Sequence, residues 1–148
     1  MKQNWVIILS SLLVALFLYT GLAKFLNFQQ FIADLQNQPF YKQFTPYLAW
    51  GLPSLEILIA VFLLFHKSRL MGLMASLLLL LLFTLYTAVV LLHGFNRVPC
   101  SCGGVIRQLS WGQHLVFNLF FLIISIIAIN LFMHECRGSR KPGNRVGN

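Results

Sequence analysis

Residues 70–92 read LMGLMASLLLLLLFTLYTAVVLL, a stretch without a single charged side chain. Its length decides what it can be. An α-helix needs roughly 20 apolar residues to cross about 30 Å of hydrocarbon, and only helices or closed barrels satisfy their own backbone groups in lipid. Barrel strands would be about half as long and would alternate in polarity, which this stretch does not. Working outward, residues 5–22, 47–65 and 111–133 form three more blocks of the same kind. The sequence therefore predicts an all-α, integral membrane four-helix bundle over residues 1–133, followed by a basic, disordered cytoplasmic tail over 134–148.

Composition points the same way. Of 148 residues, 58% are hydrophobic and 9% are charged, against about a quarter charged in an average globular chain. A soluble globular domain is excluded, and three cysteines are too few for a disulfide scaffold. A cleaved signal peptide competes for the first block, because Lys2 precedes it and Gly21-Leu22-Ala23 has small residues at cleavage spacing. The run exceeds the usual signal core of about 7–15 residues, so an uncleaved helix is the better reading.

The eleven bases fix an expected orientation, since Lys and Arg gather in short cytoplasmic segments. Lys2, Lys67, Arg69, Arg137, Arg140, Lys141 and Arg145 fall on one side, and Lys24, Lys42, Arg97 and Arg107 on the other. Both termini are then cytoplasmic, and segments 23–46 and 93–110 face the periplasm or exterior. The net charge of +8 is scattered over short flanks rather than gathered into a patch, which speaks for contact with membrane lipid and against nucleic acid.

The first outer segment carries Phe28, Phe31, Ile32 and Leu35 at helical spacing, with Asn27, Gln29, Gln30, Asp34 and Gln36 between them. This pattern predicts a short helix lying in the interface, serving either as a lid or as a partner surface. Pro39 and Pro46 interrupt the residues beyond it, and Phe40, Tyr41, Phe44, Tyr47 and Trp50 make an aromatic belt.

The second outer segment carries Pro99-Cys100-Ser101-Cys102-Gly103-Gly104. Exported thiols are usually oxidised. A bridge closing a three-residue loop would contribute only about 1.6 kcal/mol by the chain-entropy expression, before strain is subtracted. A strained, exposed disulfide exchanges readily, and the acid-free stretch from His93 to Ser110, with Arg97 and Arg107, favours a thiolate. Redox exchange is thus the leading reading. An inert structural pair is the second, and a metal site using Cys100, Cys102 and His93 or His114 is the third, weakened by the short cysteine spacing and the want of a fourth ligand.

Gly21 and Lys24 at the end of the first block, Leu52-Pro53-Ser54-Leu55-Glu56, and the Pro-Cys-Ser-Cys-Gly-Gly loop followed by Leu109-Ser110-Trp111, His114 and Asn118 together resemble the MauE branch of the DoxX-like membrane proteins. The resemblance covers the chain apart from its basic tail. It implies a four-helix, multi-pass protein of the bacterial inner membrane, associated with redox chemistry and with thioredoxin-like or disulfide-containing periplasmic partners. Named members serve methylamine utilisation by maturing the disulfide-rich small subunit of methylamine dehydrogenase. Carried onto this sequence, it puts the redox pair at Cys100 and Cys102.

The candidate catalytic residues are Cys100, Cys102, His114 and Glu56. Glu56 lies about 13 Å below Tyr47 along a helix, a depth at which a carboxylate needs a partner. Either it pairs with Lys24 or bonds a hydroxyl while protonated, or it relays protons. Ser110 is the expected N-cap of the last helix, and His114 and Asn118 share a face at i, i+4 spacing. His114 is either a proton acceptor for a thiol or a packing histidine. No cofactor is demanded, although an oxidant would need an electron acceptor such as a quinone, for which Tyr19, Tyr86 and His93 are candidate lining residues or merely interfacial anchors. His66 and His134 read as interfacial, and Cys136, across the membrane from the pair, as a silent thiol. The function expected is thiol-disulfide oxidoreduction at the exported face. The alternative is a non-catalytic membrane scaffold whose Cys-x-Cys-Gly-Gly loop is structural.

Overall fold

A computed structural model describes residues 2–38, 42–92 and 110–139. Every regular element among them is helical: α1 (Lys2–Leu26), α2 (Phe28–Gln36), a single 3-10 turn (Lys42–Phe44), α3 (Thr45–Leu64), α4 (Arg69–Leu92) and α5 (Trp111–Ser139). Four of these, α1, α3, α4 and α5, are long and apolar enough to cross a membrane. α1 packs on α3 and α5, and α4 packs on the same two, so the long helices form a ring in which chain neighbours are also spatial neighbours. Leu13 and Phe17 of α1, Ile59 and Leu63 of α3, Leu73 and Leu80 of α4 and Ala128 of α5 meet in one core.

What separates inside from outside is polarity and size rather than hydropathy. On α4, Leu78, Leu82, Leu85 and Val89 form an outward stripe at helical spacing, each more than half exposed. The opposite stripe, Leu73, Ser76, Leu80, Thr84 and Thr87, is buried. Comparable apolar side chains cover the outer faces of α1, α3 and α5, an area that only lipid can accommodate. Inside, the Ser76 and Ser125 hydroxyls hydrogen-bond at 3.2 Å between α4 and α5. Ser76 also donates to the Leu73 carbonyl at 2.8 Å, so neither hydroxyl is left bare in the apolar interior.

The helix ends explain where the observed bounds differ from the apolar blocks. At the α3–α4 turn, Ser68 donates through Oγ to the Phe62 carbonyl at 3.0 Å, and Arg69 through Nε to the Leu63 carbonyl at 3.3 Å. The last carbonyls of α3 thus find partners in the turn itself. Gly72 lets that turn close, since a Cβ there would stand 2.8 Å from the Leu63 backbone nitrogen. α5 begins as expected at Ser110, whose Oγ accepts from the Gln113 N–H at 3.3 Å while Gln113 Oε1 accepts from the Ser110 N–H at 2.9 Å. This is a reciprocal capping box. At its other end α5 runs on to Ser139, so residues 134–139 of the expected disordered tail are helical. His134-Glu135-Cys136-Arg137 contains no helix breaker, and backbone bonding does not stop where hydropathy does. α1 likewise continues past residue 22 to Leu26.

α2 forms where the spacing placed it. Asn27 makes the break from α1, its side-chain amide donating to the Ala23 carbonyl at 3.2 Å. The apolar face turns inward: Phe31 and Leu35 are buried against Ala49 of α3, with Phe28, Ile32 and Leu52 around them. Phe28 also stacks at a tilt on Trp50, with ring centroids 4.7 Å apart. Asp34, read from the sequence as part of the polar face, is buried, as is Gln38. Gln38 accepts a hydrogen bond from the Tyr86 hydroxyl and donates to the Asp34 carbonyl at 3.3 Å, fastening the end of α2 to α4. Of the expected aromatic belt, Phe44, Tyr47 and Trp50 are exposed; Pro39, Phe40 and Tyr41 lie outside the described residues.

Candidate functional site

The site begins with a close approach of two backbones. A Cβ on Gly21 would stand 3.0 Å from Ile57 Cγ1 and 3.2 Å from the Pro53 carbonyl oxygen, so the absence of a side chain seats α1 directly on α3. One turn further, Lys24 reaches Glu56. Its Nζ donates to both carboxylate oxygens, at 2.7 and 2.8 Å, and the two side chains are each 2% exposed. The ammonium also faces the Phe31 ring of α2, with its centroid 5.8 Å away. A carboxylate at mid-helix in a membrane bundle is tolerable when a cation neutralises it and occupies its lone pairs. This is the ion pair expected from the sequence, and it engages both carboxylate oxygens.

Beside the pair is a cavity of about 20 Å³ to which all four long helices contribute. Thr20, Lys24 and Glu56 form its polar wall on α1 and α3, and His114 and Asn118 face them from α5. His114 and Asn118 are 3% and 4% exposed. Their i, i+4 spacing brings both to one face, as the sequence predicted, and Ser110 fixes where that helix starts. Asn118 Nδ2 has no hydrogen-bond partner among the described residues. Phe17, Phe83 and Phe117 close the remaining walls.

Two of the four candidate catalytic residues, Glu56 and His114, therefore line one cavity. The other two, Cys100 and Cys102, lie outside the described residues, as do His93, Arg97 and Arg107. Segment 93–109 joins α4 to α5, the end of α5 at which His114 stands. Among the described residues, no group of three or more His, Cys, Asp or Glu could hold a metal ion. Neither Tyr19 nor Tyr86 lines the cavity: Tyr19 is on the exposed face of α1, and Tyr86 is bonded to Gln38. His66 sits on the exposed turn after α3, its ring 6.0 Å from that of Phe132, and His134 is exposed on α5. Cys136 is a free, exposed thiol at the far end of α5. Sequence reasoning missed the burial of Asp34 and Gln38; the signal available was that Asp34 is one of only three acids in the chain.

The family model described as methylamine utilisation protein MauE matches residues 2–131. The chain belongs to the MauE family. No curated protein and no solved structure matches it. The MauE match takes in α1 to α4 and most of α5, stopping before the basic end of the last helix, so every residue of the cavity lies within it. In this MauE-family protein the buried cluster is the Lys24–Glu56 ion pair with Thr20, His114 and Asn118 beside it, an arrangement suited to fixing the positions of α1, α3 and α5.

Proposed function

We propose that this MauE-family protein carries out thiol-disulfide exchange at the exported face of the bacterial inner membrane, with Cys100 and Cys102 as the exchanging pair. The observation that carries this reading is the joining of a Pro-Cys-Ser-Cys-Gly-Gly loop to the bundle end that holds His114 and the buried Lys24–Glu56 pair. In the oxidising direction, a partner thiolate attacks one sulfur of the Cys100–Cys102 disulfide. A mixed disulfide forms and the other cysteine leaves as a thiolate. The partner's second thiolate then displaces the first cysteine, so that the partner gains a disulfide and the loop holds two reduced sulfurs. In this reading His114, four residues into the bundle from Ser110, takes up and returns the protons of those sulfurs, with Arg97 and Arg107 favouring the thiolate form. Renewal of the loop disulfide requires an acceptor of two electrons and two protons, for which a membrane quinone is the natural class. The partner is a periplasmic thioredoxin-like or disulfide-containing protein, and the family's association with methylamine utilisation makes a disulfide-rich dehydrogenase subunit one such substrate.

Both termini are cytoplasmic in this proposal, in keeping with the distribution of the eleven bases. A reporter active only in the cytoplasm should therefore be active when fused after Asn148, and an export-dependent reporter silent. Replacing Cys100 or Cys102 singly by serine should trap a mixed disulfide with the partner, visible as a thiol-sensitive band, and replacing both should remove it. Unchanged partner oxidation in the double variant overturns the redox function. A loop reduction potential below about −300 mV would mark a structural disulfide and favour the scaffold instead.

A further inference from the structure

The buried polar cavity holds room and chemistry for one specific kind of ligand. Its volume of about 20 Å³ exceeds the roughly 10–15 Å³ needed to hold a single water by this measure. Charge narrows the choice further. The Lys24 ammonium already neutralises Glu56, so a cation would meet an ammonium and an anion would meet a carboxylate. Asn118 supplies the independent sign of a ligand. It is 4% exposed, it lines the cavity, and its side-chain nitrogen donates to nothing among the described residues. Buried amides are satisfied by protein or by ordered water.

We propose that the cavity is a binding site for a single ordered water that accepts a hydrogen bond from Asn118 Nδ2 and donates one to the Glu56 carboxylate. Thr20 and His114 complete its polar surroundings, which brings the number of neighbouring polar groups within the two to four that buried waters use. The water connects α5 to the ion pair between α1 and α3, and so holds the first turns of α5 in register with the other helices. Beside His114 it is also a neighbour that both donates and accepts protons; that second role rests on the thiol-exchange reading, whereas the site itself does not.

The test uses the full chain labelled with 15N-asparagine in lipid nanodiscs. A water-to-amide Overhauser cross-peak is expected at the Asn118 side chain, identified by its loss in Asn118→Leu. It should be absent at Asn130, which is exposed and whose Nδ2 is already committed to the Ile126 carbonyl at 3.0 Å. The cross-peak should persist in the Cys100→Ser, Cys102→Ser double variant, which separates this site from the redox reading. Its absence at Asn118 in the unsubstituted chain overturns the proposal. Thermal unfolding gives a second readout: Asn118→Leu should lower Tm by several degrees because the carboxylate loses its water, and a raised Tm would mean the cavity was dry.

Discussion

Exchange of Lys24 for methionine is expected to destabilise the bundle by about 3–5 kcal/mol, the usual consequence of leaving one member of a buried ion pair unpaired. The geometry argues for the upper part of that range. Lys24 occupies both Glu56 oxygens, at 2.7 and 2.8 Å, and solvent reaches neither side chain. Methionine keeps the apolar stem of lysine without its ammonium, so the loss is electrostatic and includes the contact of that ammonium with the Phe31 ring. The decisive companion is Lys24→Met combined with Glu56→Leu. Removing both charges removes both desolvation costs, and this double variant should regain most of the loss or exceed the parent in stability. Unfolding in mild detergent, followed for the parent, the two single variants and the double, gives the coupling directly. A double variant as unstable as Lys24→Met would mean that the pair is not the source of the effect.

The second large effect is expected at a turn. Gly72→Ala should cost about 1–3 kcal/mol by overpacking, although alanine is by itself the better helix former by about 1 kcal/mol. The new Cβ would meet the Leu63 backbone nitrogen at 2.8 Å and the Leu63 side chain at 3.0 Å. That backbone cannot retreat freely, because Ser68 and Arg69 hold the Phe62 and Leu63 carbonyls from the same turn. Gly51 is the internal control: nothing lies within 4 Å of the Cβ it would gain, and Gly51→Ala should be neutral or stabilising by up to about 1 kcal/mol. The measurement is again the unfolding free energy, and similar values for the two alanine variants would refute the clash.

The four membrane helices were legible because length and unbroken hydropathy are local properties, readable in residues 70–92 without any knowledge of neighbours. Which face of each helix turns inward was not. Lipid and core are equally apolar, so α4 carries no amphipathic period, and only Ser76, Thr84 and Thr87 mark its buried side. The helix ends were blurred for a related reason: hydropathy reports the thickness of hydrocarbon, while Ser139 and Leu26 are reached by backbone bonds that continue past the apolar blocks.

The candidate site divides in the same way. The Lys24–Glu56 pair could be anticipated because a deep acid demands a cation and few cations are in reach. The shared face of His114 and Asn118 came from helical spacing alone. That both would look onto Glu56 depended on α5 packing beside α1, a relation between residues far apart in the chain. The inward turn of Asp34 and Gln38 depended likewise on Tyr86, which lies 48 residues beyond Gln38.

The Lys24–Glu56 pair has one more consequence, in the energised membrane. An elementary charge moved across the full bilayer feels about 2.3 kcal/mol for every 100 mV of potential. Here the ammonium and carboxylate stand 2.7 Å apart, so opposite charges sit at nearly the same electrical depth and the field exerts almost no net force on them. The assembled bundle is therefore nearly indifferent to the membrane potential at this point. With either partner removed, the surviving charge would couple to it, and the stability of the protein would begin to vary with the energetic state of the cell.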